Sequence, residues 1–211
     1  MNKIIVLWSH PRSLSTPFER IFMERGDFKI LHEPFSYLYY IHEEQASCPY
    51  RHEDPNHPTS YEDIKQYILE HAEKSPVFIK DMAYHPYNHV MKDEEFLRRL
   101  TNTFIIRDVE KTILSHATMN PEVTRDEIGY ELEYNLFQKV AELTAETPVV
   151  VSADELEDDP EGVVKAYCHA VGIEYLPESL SWEAGEKKEW EVWKEWHADA
   201  ARSSGIVKDM E

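Results

Sequence analysis

Cysteine is almost missing from this chain: 211 residues contain two, Cys48 and Cys168. Two scattered thiols build neither a disulfide framework nor a structural zinc site, and they suit a reducing cytoplasm. Positive charge is scarce too. Twenty-two Lys and Arg stand against 41 Asp and Glu, a net charge of -19. Phosphate backbones need basic patches, so nonspecific nucleic-acid binding is not expected, nor is a heparin-like polyanion as partner. No apolar run is long enough to cross a membrane and no leader pattern opens the chain, which sets the expectation of a soluble, cytoplasmic protein. Neither internal repeats nor a low-complexity linker appears. Length and composition fit one domain, 1–211, with enough chain for a substantial core.

The most informative stretch present is IIVLWSHPRSLSTPFER, residues 4–20. Ile4 to Trp8 form an apolar run, Ser9 to Ser15 a polar loop, and Phe18, Ile21 and Phe22 a helical pattern. A loop between a strand and a helix N-terminus is an anion site by construction, because free N–H groups and the helix dipole point the same way. Arg12 adds a fork-shaped cation, and Ser13, Ser15 and Thr16 add hydroxyls. The loop has neither the glycines nor the lysine of G-x-x-x-x-G-K-[ST], so it is no Walker loop. Ser and Thr here also suit an ordinary turn with N-caps.

A second unit repeats the logic. Thr103 to Ile106 is apolar, Arg107 ends it, and a helical pattern follows through Ser115. An arginine at a strand's C-terminal end faces the crevice where open parallel sheets bind ligands. The competing reading pairs Arg107 locally with Asp108 or Glu110.

Together the two segments resemble the cofactor signatures of the sulfotransferase family. Pro11, Arg12, Ser13, Ser15 and Thr16 match its 5′-phosphosulfate loop, P-[KR]-S-G-[ST]-[ST]; Arg107 and Ser115, eight positions apart, match its 3′-phosphate motif. The stretch VVVSADELEDDPEGVVKAYCHAVGI resembles the family's late strand, acidic turn and helix, so the likeness runs to about Ile173. It implies binding of 3′-phosphoadenosine 5′-phosphosulfate (PAPS), with the product PAP, and sulfuryl transfer to a hydroxyl or amine of a small acceptor without a metal. Pro11, Arg12, Ser13, Leu14, Ser15 and Thr16 would hold the phosphosulfate, with Arg12 also catalytic; Arg107 and Ser115 would hold the 3′-phosphate.

Departures from the pattern bear on the base. Lys80 of VFIKDMA matches the family's K-T-H segment, but Met82 stands where its His would be. Other family members use a Glu after the second strand, which makes Glu33 of LHEPF the first choice; Asp81, His32 and His85 follow. Glu33 could instead cap a turn or pair with Arg12. Leu14 replaces the loop glycine and fits comfortably only if its φ stays negative. Pro17 replaces an aromatic that stacks on adenine in some relatives, and the R-K-G-x-x-G segment is missing. A P-loop kinase or other nucleotide-dependent transferase, or a non-catalytic nucleotide-binding protein of the same fold, are the alternatives. Small bacterial-type relatives share the Trp-rich tail, and some carry an aminotransferase-like label, for which no pyridoxal-phosphate signature is present.

The alternation of strands (near 3–8, 28–31, 77–80, 102–106 and 148–152) with helices (near 16–25, 35–45, 61–74, 93–99, 109–118, 126–145, 160–171 and 186–201) predicts a three-layer α/β/α, P-loop-like parallel sheet. The 126–145 helix carries Ile128, Leu132, Leu136, Val140 and Leu143 on one face. Trp182, Trp190, Trp193, Trp196 and His197 mark a C-terminal extension, 180–211, read as an amphipathic helix that docks on the core or closes over the nucleotide. Residues 45–60, with His52 and His57, read as a solvated loop or a lid; His42, His52 and His57 lack metal-ligand spacing. A homodimer is compatible with the sequence.

Overall fold

The computed structural model describes residues 2–46, 53–119, 125–195 and 197–206. Five parallel strands form one sheet in the order β2-β3-β1-β4-β5: β1 Ile4–Ser9, β2 Lys29–His32, β3 Val77–Met82, β4 Thr101–Ile106 and β5 Val149–Ser152. β1 is central, pairing with β3 from Ile4↔Val77 and with β4 from Ile5↔Thr101. All six residues of β1 and all six of β3 are buried. Layers on both faces of a parallel sheet require such continuous apolar runs.

Strand alternation divides the core. Ile4, Val6, Trp8, Val77 and Ile79 pack with Ile64, Ile68 and Ala72 of α2 (Tyr61–Lys74), Phe96 and Leu97 of α4 (Glu94–Arg99), and Leu136 and Val140 of α7 (Tyr130–Thr144). Ile5, Leu7 and Phe78 face Phe18, Ile21 and Phe22 of α1 (Ser15–Arg25) and Val164, Tyr167 and Val171 of α9 (Pro160–Val171). The expected α/β/α layering is therefore the observed one.

Three expected helices differ. Residues 35–45 hold only a five-residue π-type turn, Leu38–His42, closed by Glu43 N–H to the Leu38 carbonyl at 2.9 Å. The wider turn puts Phe35, Tyr37 and Leu38 all into the core. The 126–145 helix is two, α6 (Arg125–Ile128) and α7, broken at Gly129 with φ +87°. A Cβ there would lie 3.2 Å from the His10 Cβ, so the break lets the chain press against the first loop. The 186–201 helix is a 3₁₀ segment, Lys188–Trp193, and a short α10, Ala198–Arg202. Three residues per turn eclipse positions i and i+3, so Trp190 and Trp193 are buried together.

Short helices α3 (Tyr87–Val90), α8 (Ala153–Asp158) and a 3₁₀ turn at Pro177–Leu180 went unforeseen, while α5 (Val109–Met119) follows β4 as expected. Of the 45–60 segment, residues 47–52, including Cys48 and His52, lie outside the described residues, as does Trp196. His57 stacks on Tyr37 with ring centroids 3.8 Å apart. Among the described residues no helix is long and apolar enough to cross a membrane.

Candidate active site

The C-terminal ends of all five strands lie along one edge of the sheet, and the sequence places its polar residues there. The loop leaving β1 turns through two left-handed residues, Arg12 and Leu14, both at φ +62°. The negative φ anticipated for Leu14 is thus not adopted. The backbone keeps the shape a glycine would favour, and the Leu14 side chain, fully buried among Phe18, Phe22 and Phe78, offsets its cost. Ser13 Oγ donates to the His10 carbonyl at 2.7 Å, so its hydroxyl braces the turn. Ser15 and Thr16 open α1, whose N-cap Leu14 offers no side-chain acceptor. First-turn N–H groups then point out along the helix axis.

The second unit meets this loop. Arg12 Nε donates to Ser115 Oγ at 2.7 Å, and Arg107 Nη1 donates to the Arg12 carbonyl at 3.2 Å. Arg107 also reaches Glu157 of α8 at 3.5 Å, a carboxylate other than the Asp108 or Glu110 of the competing reading. His10 locks the two units from below. Its Nδ1 lies 2.9 Å from the Pro11 carbonyl and its Nε2 accepts the Arg107 N–H at 3.2 Å. Burial, aided by the charges of Arg107 and His116, pushes its pKa down to about 4, so it serves as a neutral linker. Tyr130 stacks on its ring at 4.1 Å and donates to the Arg107 carbonyl at 2.5 Å. The sequence reading missed His10 and Tyr130; the histidine inside the loop itself was the available signal.

At the ends of β2 and β3 sits a buried ionic cluster. Glu33, at φ +44°, is paired with the fully buried Lys80 ammonium rather than with Arg12. Burial alone would raise the Glu33 carboxyl, but Lys80, followed by His32, His85 and His197, outweighs it and holds the group at about 2. Asp81, the next residue on β3, accepts N–H bonds from Phe35 at 2.8 Å and Met82 at 2.9 Å. Its Oδ1 also faces His85 Nδ1 at 2.6 Å. Burial pushes the Asp81 carboxyl up despite that partner.

A chain of hydrogen bonds runs from this cluster to the first loop. Trp190 Nε1 donates to Glu19 Oε2 at 2.9 Å, and the same oxygen lies 2.7 Å from His32 Nδ1. His32 Nε2 is 2.9 Å from His197 Nε2, and His197 Nδ1 is 3.4 Å from Thr16 Oγ1. Burial, with the nearby His32 and Lys80 charges, drives His197 well below the ordinary histidine range. The C-terminal segment therefore reaches the loop through His197 and Trp190. Arg20, 5.6 Å from the centroid of Trp182 and 5.7 Å from that of Trp190, fastens it further. His32, Glu33 and His197 bring ligand atoms within 4.8 Å of one another. A cation there would have to displace the Lys80 ammonium already on Glu33, so this donor set is charge-balanced by a side chain.

Comparison with known proteins bears on the family and the fold. A family profile described as "Sulfotransferase domain" matches residues 2–209. The chain superposes on the sulfotransferase domain of the Synechococcus PCC 7002 olefin synthase with TM-score 0.59 at 15% identity, covering 99% of this chain and 86% of that one. On the sulfotransferase from Alicyclobacillus acidocaldarius the TM-score is 0.55 at 12% identity, covering 94% and 92%. Two Arabidopsis thaliana proteins, branched-chain-amino-acid aminotransferase-like proteins 2 and 1, are 25% and 26% identical over 96% and 92% of this chain. The match takes in only 36% and 34% of their lengths, so their names describe proteins most of which this chain does not span. A parallel sheet with these strand-end loops and a profile match over nearly every residue place the chain in the sulfotransferase domain family.

Proposed function

We propose that this protein transfers a sulfuryl group from PAPS to a hydroxyl or amine of a small molecule. The observation that carries the reading is the interlock of the two cationic units: Arg12 on Ser115 and Arg107 on the Arg12 carbonyl, both at the mouth of the α1 N-terminus. Two anionic groups at the ends of one nucleotide would find matched donors there, fixed before binding. The fit is one of donor sets: guanidinium forks, hydroxyls and unpaired helix N–H groups are all anion ligands.

PAPS supplies an activated sulfuryl group whose transfer needs positioning and charge stabilisation, as phosphoryl transfer does. The α1 N-terminus with Ser15 and Thr16 would hold the 5′-phosphate. Arg12 would stabilise charge building on the bridging oxygen, and Arg107 with Ser115 would grip the 3′-phosphate. Glu33, the first expectation for the base, is engaged by the buried Lys80 ammonium, which holds its carboxyl below the ordinary range. In this reading it holds the Lys80 ammonium in place at the floor of the crevice.

The test is calorimetric titration with PAP beside ADP and ATP, with and without Mg²⁺. Metal-independent binding of PAP that Arg107→Ala weakens about tenfold or more supports the reading, since a charge-assisted contact contributes about 1.5–3 kcal/mol. Preference for ATP with Mg²⁺ would point to a kinase, and binding of none to a fold without the donor site.

A further inference from the structure

The first turn of α1 is touched from within by a row of side chains to which the donor reading gives no task. Thr16 keeps 7% of its surface exposed, and its Oγ1 lies 3.4 Å from His197 Nδ1. His197 Nε2 lies 2.9 Å from His32 Nε2, and His32 Nδ1 lies 2.7 Å from Glu19 Oε2. All four ring nitrogens have partners. The direction of each hydrogen bond is then set by where the protons sit.

Charge balance places them. Glu19 is wholly buried; its Oε2 receives the Trp190 indole N–H and faces His32 Nδ1, while its Oε1 meets no partner among the described residues. A neutral acid would carry its proton on Oε1, where no acceptor stands, so Glu19 is a carboxylate. A buried carboxylate requires a counter-charge. Glu33, the other buried carboxylate beside the row, has the Lys80 ammonium. His32 stands between the two, 2.7 Å from Glu19 and 3.8 Å from Glu33, and is the ion-pair partner of Glu19. As an imidazolium it donates from both nitrogens, so His197 accepts at Nε2. Burial, with the charges of His32, Lys80 and Arg12, keeps His197 neutral in spite of Glu33. Its single proton therefore sits on Nδ1 and is donated to Thr16 Oγ1. A hydroxyl whose lone pair is engaged in this way has its own proton left for another acceptor.

We propose that His197 is a positioning residue for the sulfuryl donor: at the end of the Glu19–His32–His197 row, it sets the Thr16 hydroxyl to donate its proton to the 5′-phosphate. This rests on the donor reading above and deepens it. With the row reversed, Thr16 would donate inward to His197 and turn a lone pair toward the anion. Trp190 binds the same Glu19 oxygen as His32, so the C-terminal segment supplies both the far end of the row and its anchor.

The test is a double-mutant cycle read as PAP affinity by calorimetry, beside nitrogen-15 NMR of the histidines in the wild type. His197→Gln places its amide near the Nε2 position, which keeps a partner for His32 and takes the N–H from Thr16. It is expected to weaken PAP about three- to tenfold, and Thr16→Val about tenfold or more. The double variant should bind no more weakly than Thr16→Val alone, because His197 acts through that hydroxyl. A merely structural His197 would lower affinity by the same factor whether Thr16 is present or replaced, and that additivity overturns the proposal. So does wild-type affinity in His197→Gln or in Thr16→Val. The NMR spectrum decides without any variant having to fold: His32 protonated at both nitrogens and His197 at Nδ1 is the expected pattern, and a His197 proton on Nε2 overturns it. Wild-type PAP binding that Arg107→Ala weakens, with no coupling between His197 and Thr16, removes this inference and leaves the donor reading standing. A wild type that fails to bind PAP removes the donor reading, and the role of His197 with it.

Discussion

Single side chains here carry costs that their neighbours offset. Lys80 is buried whole at the C-terminal edge of the sheet, and among the described residues the Glu33 carboxylate makes that tolerable. Lys80→Met leaves Glu33 buried without its counter-charge, and chemical denaturation is expected to show a loss of about 3–5 kcal/mol. The double change Lys80→Met with Glu33→Leu removes both charges and should recover most of it, because paired removal is often near neutral. Leu14 balances conformation against burial in the same way. Leu14→Gly relieves about 1–2 kcal/mol of left-handed backbone cost but gives up a buried leucine worth about 2–5 kcal/mol, so net destabilisation is expected in a urea titration. The pattern P-R-S identified this loop; that a leucine would hold a glycine's backbone was not legible, because its compensation comes from phenylalanines on α1 and β3.

Elements meet at junctions that the hydrophobic pattern does not mark. The spacing of Ile128, Leu132, Leu136 and Val140 argues for one helix, yet the chain breaks at Gly129 to bring Tyr130 over His10. Gly129→Ala must accept φ +87° and a Cβ 3.2 Å from the His10 Cβ. The expected loss is about 1–2 kcal/mol in thermal unfolding, and under the proposed function PAP affinity also falls because the first loop must shift. The C-terminal tail shows the same limit. Its tryptophans announced a docking segment, and the structure agrees, but the buried chain from Trp190 through Glu19 and His32 to His197 and Thr16 joins residues too far apart in sequence for any spacing rule to reach.

At the scale of the whole molecule, two buried carboxylates pull stability in opposite directions with pH. Glu33 is held down at about 2, so its contribution is present above the unfolded value of 4.5 and is lost as pH falls toward 2. Glu133 of α7 is buried with no partner among the described residues, and burial raises it well above 4.5. Its contribution is present below 4.5 and is lost as pH rises above that value toward the raised one. Glu133→Leu should therefore flatten the decline in Tm above about pH 5 and raise neutral stability by about 1–3 kcal/mol, as scanning calorimetry across pH would show. The sequence by itself determined the alternation of strands and helices, the layered parallel sheet and the two strand–loop–helix units that carry Arg12 and Arg107. These are local in origin, resting on apolar runs, loop chemistry and the residue at each strand's end. Tertiary structure alone decided that Lys80 neutralises Glu33, that Asp81 orients His85, and that His197 arrives beside Thr16. Those outcomes depend on strand order, which sets β3 between β2 and β1 and brings residues from three chain regions into one low-dielectric space where charge pairing, not spacing, assigns each partner.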